Sequence, residues 1–430
     1  MTTEPPDRDP DPSSVAAGPA RPASPPTGED SSQATLSAYL RLRWQGVTYG
    51  ELGSLPIIVG LAVIVVTFGI LDDTFLTERN FTNLILQMTY IAAIAIGVVF
   101  VLLIGEIDLS VAFVGGVGGV VMTLLLRPDD PGWPWWLAIA VALLCTTAIG
   151  FVQALVITKA GVPSFVVTLA GLLIWSGVVL ILTTQASDVG TIRIQDQTVV
   201  GIANDFLSDA EGWVVGVIVV AAFAFSQLYT ARTRRVGGLL AKPVVVIVLQ
   251  IVGLALVTFG AVWYANKDRG VPKVAVILGV FLVFWSFIAS RTRFGRHVYA
   301  VGGSAEAARR AGINVDRVRI AVFMISGFMA GVGGIMLASR LRSVATSTGG
   351  GNLLLLVIAS AVIGGTSLFG GVGRVISALL GALVIASIQN GMDLLGLASG
   401  TKFVITGLVL LGAVLVDAYA KRRRVARGIV

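Results

Sequence analysis

One cysteine and one histidine in 430 residues leave almost no material for thiol or metal chemistry. Cys145 stands alone in an apolar stretch, so it can form no intramolecular disulfide and reads as a small core residue. His297 has no Cys, His or carboxylate companions at ligand spacing, which excludes a metal cluster and a His-based catalytic triad. Neither G-x-x-x-x-G-K-[S/T] nor H-E-x-x-H occurs. The chain therefore has no P-loop to cradle ATP phosphates and no zinc-protease helix. Charge is scarce too: 13% of residues are Asp, Glu, Lys or Arg, against about 25% in soluble domains. No catalytic residue is expected, and nucleic acid is not an expected partner.

What is abundant is apolar: 55% of residues are hydrophobic and the mean hydropathy is +0.88. The 51 glycines suit closely packed transmembrane helices. Residues 1–36 are a different material, with eight of the 15 prolines before residue 27. They read as a disordered cytoplasmic tail without the apolar core of a cleavable signal. Residues 37–54 read as an amphipathic surface helix in contact with lipid head groups through Arg41 and Arg43.

From residue 55 the chain is a succession of apolar segments, at 55–71, 81–104, 108–126, 135–158, 162–184, 213–229, 243–264, 273–290, 319–339, 353–370, 372–396 and 401–418. The expectation is an all-α polytopic membrane domain, 55–418, of about twelve spans with both termini cytoplasmic. Basic clusters set that orientation. They are Arg232, Arg234, Arg235 and Lys242, then seven arginines in 291–319, then a basic tail at 419–430. Asp72, Asp73, Asp129, Asp130 and the acidic loop 185–211 fall on the opposite side.

The 291–319 loop is a polar island with a shape. Ser304 can cap a short helix, Glu306 favours its positive end, and Arg309 and Arg310 favour its negative end. Gly312 can take the left-handed stop. About nine residues give a rod of roughly 13 Å, too short to span and suited to docking a partner beneath the membrane.

Two polar sets sit inside apolar helices. Gly105-Glu106-Ile107-Asp108-Leu109-Ser110 joins two apolar segments, and carboxylates there must face a cavity, a partner or water. Glu106, Asp108 and Ser110 either line a translocation path or cap the next helix, with Asp108 at the N-cap. Gln389, Asn390 and Asp393 form the second set, as path lining or as interhelical hydrogen bonds, with Gln389 and Asp393 on one face. Gln87, Gln153 and Gln250 read as structural.

Six motifs in order then resemble the permease subunit of bacterial sugar ABC importers, in the ribose/xylose branch. They are G-E-I-D-L-S at 105–110, V-P-S-F-V-V-T-L-A-G at 162–171, R-T-R-F-G-R-H-V-Y-A-V-G-G-S-A-E-A-A-R-R-A-G-I-N-V at 291–315, I-S-G-F-M-A-G-V-G-G-I at 325–335, V-I-G-G-T-S-L-F-G-G at 362–371 and Q-N-G-M-D-L-L-G at 389–396. The resemblance implies a multi-pass subunit of the inner membrane with no ATPase site of its own. Its partners would be a second permease copy, cytoplasmic ABC ATPase subunits that hold ATP and Mg, and an extracytoplasmic sugar-binding protein. The coupling element maps onto Gly302, Gly303, Ser304, Glu306, Ala307, Arg309, Arg310 and Gly312. Relatives have about ten spans, so the segments at 213–229 and 243–264 are an inserted pair, as in xylose-type permeases. The implied function is import of a monosaccharide, such as the pentose xylose, by alternating access. The alternative is an ion-coupled secondary transporter using Glu106 and Asp108.

Overall fold

A computed structural model describes residues 55–128, 132–238 and 242–426. The tail at 1–36, the surface helix at 37–54, Asp129, Asp130 and residues 427–430 lie outside the described residues.

The chain is helical nearly throughout. In order come α1 (Leu55–Leu71), α2 (Glu78–Leu103), α3 (Val111–Leu125), α4 (Trp135–Lys159) and α5 (Ser164–Ala186). Strand β1 (Thr191–Arg193) and α6 (Gln197–Asn204) lead to α7 (Asp209–Val236), α8 (Val244–Asn266) and α9 (Lys273–Arg291). Then follow α10 (Arg293–Gly303), α11 (Ala305–Arg310), α12 (Val315–Leu341), β2 (Ser343–Ala345), α13 (Leu353–Ile363), α14 (Ile376–Leu394) and α15 (Ser399–Ala426). Among the described residues eight helices are long and apolar enough to cross a membrane: α2, α4, α5, α7, α8, α9, α12 and α14. Shorter apolar stretches lie in α1, α3, α13 and α15.

One segment departs from its expected length. The apolar run at 353–370 forms a helix only to Ile363, after which Gly365, Gly370, Gly371 and Gly373 all take positive φ. A G-G-T-S-L-F-G-G run has too little helix propensity to continue, so 364–375 is irregular. The 11 residues of α13 rise about 16 Å, half a bilayer core.

The centre of the bundle is α12 against α2, α3 and α4. Lipid is as apolar as leucine, so close backbone approach replaces the hydrophobic effect as the source of helix association. Gly115 of α3 meets Gly334 of α12 backbone to backbone, and Gly150 of α4 lies on the Phe323 carbonyl. Phe100 and Phe323 fill the remaining volume at full burial, and Trp285 of α9 packs edge-on to Phe100. The α7–α8 pair is peripheral: 72% of the apolar window of α2 is buried within the chain, but only 11% of that of α7 and 6% of that of α8. The pair is held at one end. The Tyr264 hydroxyl donates to the Leu76 carbonyl, Lys267 pairs with Glu78 at 3.6 Å, and Thr82 Oγ1 donates to Asp268 at 3.1 Å.

The acidic loop 185–211 is structured. Its β1 pairs antiparallel with β2, placing Ile192 opposite Val344, and Asp196 caps α6. Ser339 of α12 anchors α6, since its Oγ accepts from Ala203 N at 2.9 Å and donates to the Val200 carbonyl at 3.1 Å.

Candidate coupling and translocation sites

The polar island folds as two helices, not one. Thr292 caps α10 by accepting from Gly295 N at 3.1 Å, and Ser304 caps α11 by accepting from Ala307 N at 3.2 Å. Gly312 takes φ +83° past the end of α11, and Glu306 pairs with Arg310 one turn on. Ala308 is buried and holds α11 down, while Glu306, Ala307, Arg309 and Arg310 are exposed. That is a small charged face with a fixed underside. The preceding α10 carries an apolar stripe, Phe294, Val298 and Val301, at i, i+4 and i+7. That pattern was available in the sequence, and it marks α10 as a packed helix where only a loop was expected. His297 is exposed.

The root of this unit is a junction of three backbones. Gly371 N donates to the Leu103 carbonyl at 2.9 Å, where α2 ends. Gly302 lies against the same carbonyl, and a Cβ on it would sit inside the Leu103 oxygen and 2.7 Å from Gly371 N. The neighbouring Gly303 has open space around the same position. Tyr299 adds a further tie, its hydroxyl donating to the Gly373 carbonyl at 2.8 Å. These contacts join the end of α10 to the end of α2 and to the 364–375 segment.

Glu106 and Asp108 stand just beyond that junction and have separate environments. Glu106 pairs with Arg319, in the first turns of α12, at 2.9 Å. Asp108 is buried among donors: Ser110 N at 3.0 Å, Ser110 Oγ at 2.7 Å and Ser326 Oγ at 2.9 Å. Gln153 Nε2 extends the network to Ser110 Oγ at 2.9 Å. Asp108 is not the N-cap of α3; Ser110 holds that position without a side-chain bond, and Asp108 ties the turn before it. The network joins α3, α4 and α12 at one point. Gln153 and Ser326 as members of this network, and Arg319 as the partner of Glu106, become visible only once the helices are packed.

The second polar set divides between two neighbours. Asn390 and Asn80 exchange reciprocal amide bonds of 2.7 and 2.9 Å in a buried pair between α14 and α2. Gln389 donates to Thr406 Oγ1 at 2.9 Å, and Asp393 pairs with Lys402, so both reach α15. Gln250 of α8 accepts from Lys242, two residues before that helix, at 3.2 Å. Among the described residues no group of three or more His, Cys, Asp or Glu is placed to hold a metal.

A family model described as branched-chain amino acid transport system / permease component matches residues 80–416. The xylose transport system permease protein of Escherichia coli strain K12 is 37% identical over 357 residues, covering 82% of this chain and 88% of that protein. The corresponding protein of Haemophilus influenzae is 34% identical over 372 residues, covering 85% and 96%. The ribose import permease protein of E. coli strain K12 is 31% identical over 361 residues, covering 84% and 92%. No solved structure matches the chain.

Proposed function

Because the chain belongs to this family of transport-system permease components, we propose that it is the membrane subunit of an ATP-driven importer that moves a monosaccharide inward, a pentose such as xylose first. It is a multi-pass protein of the inner membrane. The higher identity to the xylose relatives, 37% against 31% for the ribose relative, favours xylose. The functional unit is two copies of the chain, two cytoplasmic ATPase subunits that hold ATP and Mg, and an extracytoplasmic sugar-binding protein. The twelve apolar helices run with both termini on the cytoplasmic side, as the basic loops require. ATP closes the ATPase pair, α10 and α11 move with it, and the spans rock about a central path.

The observation that carries this reading is the coupling unit. A six-residue helix, Ala305–Arg310, has an exposed charged face and a backbone junction at Gly302 beneath it. Force applied at Glu306, Arg309 or Arg310 is delivered to Leu103 and Gly371, and from there to Glu106 and Asp108. Glu106 and Asp108 act here as links of the gate framework, with Ser110 holding the turn between them and α3. An ion-coupled carrier would need a carboxylate free to bind its ion, whereas Glu106 is paired with Arg319 and Asp108 is enclosed by donors. Gln389, Asn390 and Asp393 act as fasteners of α14 to α2 and α15.

Gentle purification from membranes, with mass spectrometry of what accompanies the chain, tests the proposal. A P-loop ATPase in fixed ratio is the expected result. A chain that comes out alone and still transports would overturn it.

A further inference from the structure

Resting on the reading of the chain as a sugar permease, we propose that the irregular segment 346–352 and Tyr90 form a transit subsite for one uncharged, polyhydroxylated ring. After β2 the chain does not return outward but descends beside α3. The Thr348 carbonyl lies on Gly116, and a Cβ on Gly349 would stand 2.5 Å from the Ala112 carbonyl and 3.0 Å from Phe113 Cα. Counting back from Leu125 at the far end of α3, Gly116 and Ala112 lie roughly 14 and 20 Å deep. The next helix, α13, begins after this segment, at Leu353.

Between β2 and α13 the backbone follows turns, with Thr348 N bonded to the Ala345 carbonyl at 2.9 Å and Gly350 N to the Ser347 carbonyl at 2.8 Å. Non-helical backbone at membrane depth stands only where protein covers it or where it lines a water-filled cavity. Here a cavity of about 180 Å³ opens beside it. That is room for several waters and admits a small ring.

The lining chemistry narrows the occupant. Ser343, Ser347, Thr348 and Asn352 supply neutral donors and acceptors, Tyr90 supplies a ring, and leucines of α12 and α13 complete an apolar wall. Asn352 makes no side-chain cap bond to α13, so its amide is not committed to the helix. No charged side chain lines the cavity. Arg340 stands 5.7 Å from the Tyr90 ring centre and can meet a carboxylate, but no carboxylate lines the cavity to meet the ammonium of a zwitterionic amino acid. Hydroxyl and amide groups with an apolar plane suit a sugar.

The test uses the full chain in membrane vesicles with Cys145→Ala and Asn352→Cys. A membrane-impermeant thiosulfonate is applied from the outer side, with D-xylose, D-ribose, L-leucine or buffer. Val189→Cys, exposed in the 187–190 turn, and Ser360→Cys, buried between α13 and α14, serve as controls. The expected result is modification at position 352 that xylose or ribose, at about nine times its dissociation constant, slows about tenfold, with leucine without effect. Failure to modify position 352 while position 189 reacts would overturn the proposal, as would protection by leucine alone or by no sugar. Sugar uptake that persists with position 352 unprotected removes the subsite only. Absence of ATP-dependent sugar uptake in the unsubstituted chain removes the permease reading beneath it.

Discussion

Replacing Gly302 with alanine adds one methyl group at the point where three backbones meet. The new Cβ would overlap the Leu103 carbonyl and approach Gly371 N to 2.7 Å, so no side-chain rotation relieves it. Roughly 1 Å of backbone displacement is needed, and overpacking of this kind costs about 1–3 kcal/mol. The displacement also stretches the Gly371 N to Leu103 carbonyl bond, now 2.9 Å, for about 1 kcal/mol more. If the strain falls on one of the two transport conformations, a total of about 2–4 kcal/mol shifts their balance by about thirtyfold to nearly a thousandfold. Uptake of labelled xylose by reconstituted complex, measured beside ATP hydrolysis, should fall at least thirtyfold while hydrolysis continues. Gly303→Ala, one residue on, meets nothing and should leave both within about twofold. Equal uptake in the two variants, or equal loss, would refute the assignment of the junction to Gly302.

Other expectations rest on separate contacts. Glu306→Arg reverses the exposed face of α11 and breaks the pair with Arg310. It should weaken retention of the ATPase at least tenfold in pull-down while leaving the melting temperature of the purified chain unchanged. Asn80→Leu strands the buried Asn390 amide and should cost about 1–3 kcal/mol in thermal unfolding. The double variant Asn80→Leu with Asn390→Leu should recover most of that loss, and simple additivity would contradict a paired role. Asp108→Leu strands the Ser110 and Ser326 hydroxyls within α3, α4 and α12 and should cost more than Ser326→Ala, which removes one donor. Equal melting temperatures for those two variants would argue against the network.

Much of the fold was legible because membrane helices announce themselves by length and apolarity. Each expected apolar segment has a helix, and the short run 353–370 went wrong where glycine replaced leucine, not where hydropathy changed. The α11 rod was legible because its signals are local: a Ser cap, an acid first, arginines last, a glycine stop. The α10 helix was missed, though its apolar stripe is in the sequence, because arginines on the other face dominate the composition. The β1–β2 pair could not be read, since Thr191–Arg193 and Ser343–Ala345 are short and distant in sequence. The partners of the polar residues were illegible for the same reason. Nothing local says that Glu106 meets Arg319, that Asn390 meets Asn80, or which of two adjacent glycines is the tight one.

A sugar that moves because a separate ATPase pushes on α10 and α11 should follow ATP and not an ion gradient. The most direct measurement is xylose uptake into proteoliposomes holding the chain with its co-purified ATPase and binding protein, with ATP supplied on the ATPase side or an ion gradient supplied in its place. The account predicts accumulation with ATP and none with the gradient alone. Gradient-driven accumulation without ATP would contradict it.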